Sequence, residues 1–289
     1  MRRLFDSVWH QGSGAWILAW AIVAVLVAPT QADEPEEKLP TGEQILDRFV
    51  EASGGVEAYA KIKNRVKIGS TQGLGGVAKI RMYGAPPSET YWELESLTGV
   101  DRRGTHDGVS WMKGQSGDVQ ILEGDMRERD LHDSFFNMPS KWRELYKEAK
   151  SEEIVEFHKE RCYKVTLTTN MEDTETWYFS VETGLAQSVT RIVTGGMRDF
   201  EFILGWEDYR QVDGIKLPFA LVRFHGENEA GRIVFESIEH NVNLPADRFI
   251  PPPEVLEKLE EADKQKAEDA KTEKSDTPAD PPVIKPDEQ

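Results

Sequence analysis

The stretch 99–114, GVDRRGTHDGVSWMKG, brings His106, Asp107 and Ser110 into a short span. Two readings compete for it. A nucleophilic serine needs a histidine within hydrogen-bond reach and an oxyanion site beside it. Asp-Gly between two runs of strand character is instead a favoured two-residue hairpin turn. Side chains alternate faces along a strand, so the two candidate groups need not meet. The chain contains no Gly-x-Ser-x-Gly elbow. The turn reading is the stronger: Asp107 and Gly108 reverse the chain, and Trp111 anchors the strand that follows.

Working outward, the same alternation recurs in short runs separated by Gly and Pro. VKIGSTQ, GVAKIRMYG, ETYWELES and DVQILEG complete a first group of strands, with GLGG (73–76) as a hairpin turn. After a break, CYKVTLTT, ETWYFSV, QSVTRIV, DFEFILGWEDYRQV, IKLPFALVRFHG and RIVFESIEHNV form a second group. Between the groups, DMRERDLHDSFFNM is weakly periodic. In SKWRELYKEAK, Trp142, Leu145, Tyr146 and Ala149 follow i, i+3, i+4, i+7, which predicts a helix. No βαβ alternation is visible, so a parallel sheet is not expected. The predicted class is α+β and β-dominated: one strongly curved antiparallel sheet, a half-open barrel covered by helices on its concave side.

The two ends differ from the middle. Arg2 and Arg3, the apolar run 15–28 and Thr30-Gln31-Ala32 before Asp33-Glu34 read as a signal peptide over 1–32. Trp16 and Trp20 keep open the alternative of an uncleaved anchor. Residues 33–40 are a polar linker. Thr41 and Gln44 have capping-box spacing, and Ile45, Leu46, Phe49 and Val50 follow on one helical face. A second short helix is expected from Val56 to Lys63. The domain spans 41–253. From 254 to 289 charge and proline dominate, which predicts an acidic, largely disordered tail with room for a solvated helix over 254–272.

Composition narrows the function. With 52 acidic against 35 basic residues, the net charge of -17 argues against nucleic acid and against docking on anionic lipid surfaces. The lone Cys162 rules out a disulfide framework within the chain. His132 with Asp133, His158 with Glu160 and His225 with Glu227 are isolated, with no HExxH, so no metal and no cofactor are expected. The chain reads as an exported, periplasmic protein of the bacterial envelope, non-catalytic and monomeric.

Aromatic residues carry the positive signal. A curved sheet roofed by helices leaves an apolar interior suited to a hydrophobic ligand. The candidate lining is Leu46, Phe49, Val50, Trp92 and Trp111, together with Trp177, Phe179, Phe200, Phe202 and Trp206. The helix bearing Leu46 is the expected plug or lid.

GVAKIRMYGAPPSETYWELE followed by THDGVSWMKG resembles the LolA-type lipoprotein-carrier superfamily, in which a strand ending in proline precedes an aromatic strand and an Asp-Gly hairpin leading to Trp. Here these are Pro86, Tyr91-Trp92, Asp107-Gly108 and Trp111. YFSVETGLAQSV, DYRQVDGIKLP and NVNLPADRFIPPP resemble the later half of outer-membrane lipoprotein-sorting-like proteins. The resemblance spans roughly 41–253. It implies a half-open barrel holding acyl chains of lipids or lipoproteins. Ala85 stands where the carriers have a gating arginine before the proline, so the resemblance does not extend to driven loading and release. A second reading is an envelope-stress or interaction module that binds a protein partner on the same fold.

Overall fold

The structure, a computed structural model, describes residues 39–73, 76–195 and 198–275. The proposed signal peptide, most of the linker and the last residues of the tail lie outside them. After helices α1 (Gly42–Ala52) and α2 (Val56–Ala60), the chain makes six strands: β1 (Arg65–Gly73), β2 (Gly76–Ala85), β3 (Glu89–Ser96), β4 (Gly99–His106), β5 (Val109–Lys113) and β6 (Val119–Leu122). Helix α3 (Gly124–Asp133), a 3-10 turn at Met138–Lys141 and the single turn α4 (Trp142–Leu145) follow. Seven strands return: β7 (Tyr146–Phe157), β8 (Glu160–Thr169), β9 (Thr174–Ser180), β10 (Ala186–Gly195), β11 (Arg198–Val212), β12 (Ile215–His225) and β13 (Asn228–His240). Helix α5 (Pro253–Ser275) closes the described chain.

Among the described residues, all thirteen strands form one antiparallel sheet in the order β6-β5-β4-β3-β2-β1-β13-β12-β11-β10-β9-β8-β7. The sheet is β-dominated, bent and unclosed, as the alternation predicts. Its order has a direct consequence. The chain builds outward from β1 to the edge strand β6, then resumes at the opposite edge with β7. Residues 123–145 must therefore cross from one edge to the other, and the only economical route runs over the concave face. Coverage of the mouth by short helices follows from connectivity.

The quoted stretch is the expected hairpin. His106 pairs with Val109 and Thr105 with Ser110, while Asp107 (φ 48) and Gly108 (φ 74) take the left-handed conformations of the turn. His106 and Ser110 point to opposite faces. Ser110 is fully buried, and His106 Nδ1 lies 2.6 Å from Glu89 Oε2. The hydrolytic constellation does not form.

One expectation is overturned. The periodic stretch SKWRELYKEAK is not a helix beyond Leu145; Tyr146 and Ala149 begin β7. All four apolar residues are buried, as the spacing demands. A β-bulge explains the coincidence. Tyr146 pairs with Thr169 and Glu148 with Thr168, so Lys147 is the extra residue. Inserting one residue puts positions i and i+3 on the same face of a strand. Here that imitates a helical period.

The core has two parts. Thr41 and Gln44 form the reciprocal capping box that starts α1. Its stripe of Ile45, Leu46, Phe49 and Val50 packs with Val165, Leu167 and Phe179 of β8 and β9. Gly42 permits this approach, since a Cβ there would lie 2.3 Å from the Ala149 carbonyl oxygen. The second cluster gathers Tyr59, Ile62, Ile80, Met82, Ile215 and Phe235 across the centre of the sheet. At the β6 edge, α5 docks through fully buried Val255. A 2.7 Å pair joins Lys113 to Glu254, and the Lys258 ammonium donates to the Val119 carbonyl. Further along, Glu257, Glu260, Glu261, Asp263 and Lys264 are exposed.

Candidate functional site: a roofed cavity in the half-barrel

Between the concave face and the crossing segment lies a cavity of about 870 Å³, within the ~300–1,000 Å³ typical of small-ligand sites. Ser134, Phe135, Asn137, Met138 and Pro139 of the crossing segment line it, with His132 and Asp133 from the end of α3. Asn137 ties this roof to its walls: it takes φ 56, its amide donates to the Tyr59 carbonyl, and its Oδ1 accepts from Arg65 at 2.8 Å.

One wall is aromatic. Trp177 stacks on Trp206 with ring centroids 4.9 Å apart, and Phe49 and Phe202 flank them. Of the ten residues proposed from sequence, Phe49, Trp92, Trp177, Phe202 and Trp206 line the cavity. The other five sit elsewhere. Leu46, Val50 and Phe179 are consumed in the core beneath α1, because the helix stripe needs its whole width for packing. Trp111 is fully buried against Tyr91. Phe200 stays 48% exposed, although it shares a strand face with Phe202; it lies nearer the β10–β11 turn. The plug is also different: α1 offers the cavity only Phe49, and the roof is the crossing segment.

A polar network crosses the aromatic wall. Glu175, 6% exposed, accepts from Tyr146 Oη at 2.8 Å and from Trp177 Nε1 at 2.8 Å. Arg191 reaches Glu175 at 3.5 Å and grips Asp133 through two hydrogen bonds of 2.7 and 2.6 Å. Burial alone would raise the Asp133 pKa; hydrogen bonds from Arg191 and His132 outweigh it and hold the carboxyl at about 2. Burial beside Glu175 pushes the Tyr146 phenol well above its ordinary range. His132, Asp133 and Glu175 are close enough to share a cation. The Arg191 guanidinium already neutralises both carboxylates, so this is a poor metal site. At the hairpin, Glu89, His106 and Asp107 form a second such group, with Asp107 in solvent.

The cavity is also rich in cations, which the acidic composition conceals. Arg65, Lys67 and Thr71 share the inward face of β1, and all three line the cavity. Lys216 of β12 and Arg223 near its end add two more. Of these polar residues only His132 and Asp133 stand out from sequence, and there as an isolated pair. Period-two alternation contained the signal for some: if Trp177 and Phe179 face inward, so does Glu175. For Lys67 no comparable anchor existed, because VKIGSTQ has too few apolar residues to identify its buried face.

Comparison with solved structures gives the fold. A DUF1329 family protein from Desulfovibrio piger superposes with a TM-score of 0.51 at 12% identity, over 73% of this chain and 98% of that one. A LolA superfamily protein from Nitrosomonas europaea does so with a TM-score of 0.50 at 12% identity, over 74% of this chain and 99% of that one. No family model matches the sequence, and no curated protein does.

Proposed function

We propose that this chain, a LolA-like half-barrel, is an exported, non-catalytic binding protein whose cavity holds the acyl chain of a lipid or lipoprotein. The observation that carries the reading is the 870 Å³ space walled by Trp177, Trp206 and Phe202 and roofed by the crossing segment. At about 30 Å³ per water-sized group, it has room for roughly thirty such groups, the scale of one or two alkyl chains. Concave, largely apolar sites with a few placed polar groups suit such ligands. The non-catalytic part is supported by two facts: Ser110 is buried away from His106, and the cavity carboxylates are already held by Arg191. Among the described residues no helix is long and apolar enough to cross a membrane. The run over 15–28, read as an export signal, supports a periplasmic or exported location.

Native mass spectrometry of the purified full chain, followed by denaturing extraction, tests the reading. A bound acyl species at one per chain is expected. A chain that carries none and fails to displace a fluorescent fatty acid contradicts it. The alternative, a module binding an envelope protein, predicts instead a partner captured equally well when the cavity is blocked by Leu204→Trp, Leu204 being one of its lining residues.

A further inference from the structure

Given that the cavity is a ligand site, its charged residues specify the chemistry of the ligand. Lys67 sits near the middle of the sheet, on β1 between β2 and β13. Its cross-strand neighbours are Met82 and Ile238, both buried and apolar. Its ammonium lies 5.1 Å from the centre of the Phe235 ring. No carboxylate pairs with it among the described residues. Two positions earlier on the same face, Arg65 donates to His240 Nε2 at 3.0 Å and to Asn137 Oδ1 at 2.8 Å, and its guanidinium lies 5.2 Å from the centre of the Phe136 ring. The other cavity cations differ. Arg103 pairs with Asp130, Arg191 with Asp133 and Glu175, and Arg232 with Glu229 and Glu207, while Lys216 and Arg223 are exposed to solvent.

Among the described residues neither cation touches a carboxylate, Asp213 standing on the far side of His240 from Arg65, and such burial is costly because it disfavours an unpaired ion. A chain with 52 acidic side chains could readily have placed a carboxylate beside them. We propose that Lys67 and Arg65 receive the anionic headgroup of the ligand, a carboxylate or a phosphate, while its hydrocarbon lies along Trp177, Phe202 and Trp206. All five residues line the same cavity. Burial, aided by the neighbouring Arg65, pulls the Lys67 pKa down to about 7, which marks the missing negative partner. Arg65 also ties the roof to the sheet through Asn137, so Lys67 is the cleaner residue to alter.

The test compares three probes on the full chain by displacement of a fluorescent fatty acid at pH 6.5: palmitate, hexadecyl phosphate and uncharged monopalmitoylglycerol. The expected result is that at least one anionic probe binds about tenfold or more tightly than monopalmitoylglycerol, the scale of one charge-assisted hydrogen bond. Whichever anion is preferred separates a fatty-acid source from a phosphate-bearing one. Lys67→Met should reduce the preference to within about twofold by weakening the anionic probe more than monopalmitoylglycerol, and Lys67→Arg should retain it. Equal affinities in the wild type, or a preference that survives Lys67→Met, would overturn the proposal and leave the acyl reading intact. Failure of all three probes to bind would contradict the acyl reading itself.

Discussion

Arg191 compensates two carboxylates in the cavity wall, and that sets what its loss does. Removing one member of a buried ion pair strands the rest. Arg191→Met is therefore expected to cost about 3 kcal/mol, read as a lower urea midpoint at unchanged slope. A midpoint within experimental scatter of the wild type would show that the network contributes nothing. The same contact fixes an acid limb. Asp133 is held at about 2, below its ordinary 3.8, so its stabilisation is complete above the unfolded value and fades as pH falls from there towards 2. In Arg191→Met that limb should shrink. Lys67 gives the same direction in a higher pH window, here as a burial penalty relieved rather than an ion pair gained. Its folded pKa of about 7 lies below the ordinary 10.5, so between these values the unfolded chain binds more protons and stability rises with pH. Thermal melts of wild type against Lys67→Met, from pH 7 to 9.5, should show this rise only in the wild type.

Among the elements, α1 is positioned by its first residues. Gly42 lies so close to Ala149 of β7 that Gly42→Ala must push the helix away. A loss of about 1–3 kcal/mol is expected, the usual cost of overpacking, against about 1 kcal/mol for removing the Thr41 cap. A Gly42→Ala variant as stable as the wild type would argue against a tight helix–strand approach. These examples also show where sequence is informative. The capping box, the Asp107-Gly108 turn and the alternation of β8 and β9 are local, and each was legible. The bulge at Lys147 is not local: only pairing with β8 reveals that Tyr146 and Ala149 face inward along a strand. Half of the proposed lining failed to reach the cavity for a related reason. Alternation tells which residues face inward, but not whether a helix or open space meets them there, and α1 takes Leu46, Val50 and Phe179 for packing.

For the whole molecule, the order of strands explains the cavity. The first run of strands grows from the centre to one edge, the second starts at the opposite edge and returns to the centre, and the segment that joins them roofs the space between. The edges themselves are guarded differently. Strand β7 bears alternating charges such as Lys147, Glu148, Lys150 and Glu152, which discourage pairing with another sheet. Strand β6 is covered by the first turns of α5. Truncation after Pro252 should expose that edge and promote association, visible as larger species by light scattering; a monodisperse, equally stable product would show that α5 gives no protection. The central claim is that an acyl chain lies against the tryptophan wall. Titration with a dibrominated stearate, whose bromines quench tryptophan on contact, tests it most directly. The account predicts saturable quenching at one equivalent that is largely abolished in Trp177→Phe/Trp206→Phe. Absent quenching, or quenching unchanged in that double variant, would contradict it.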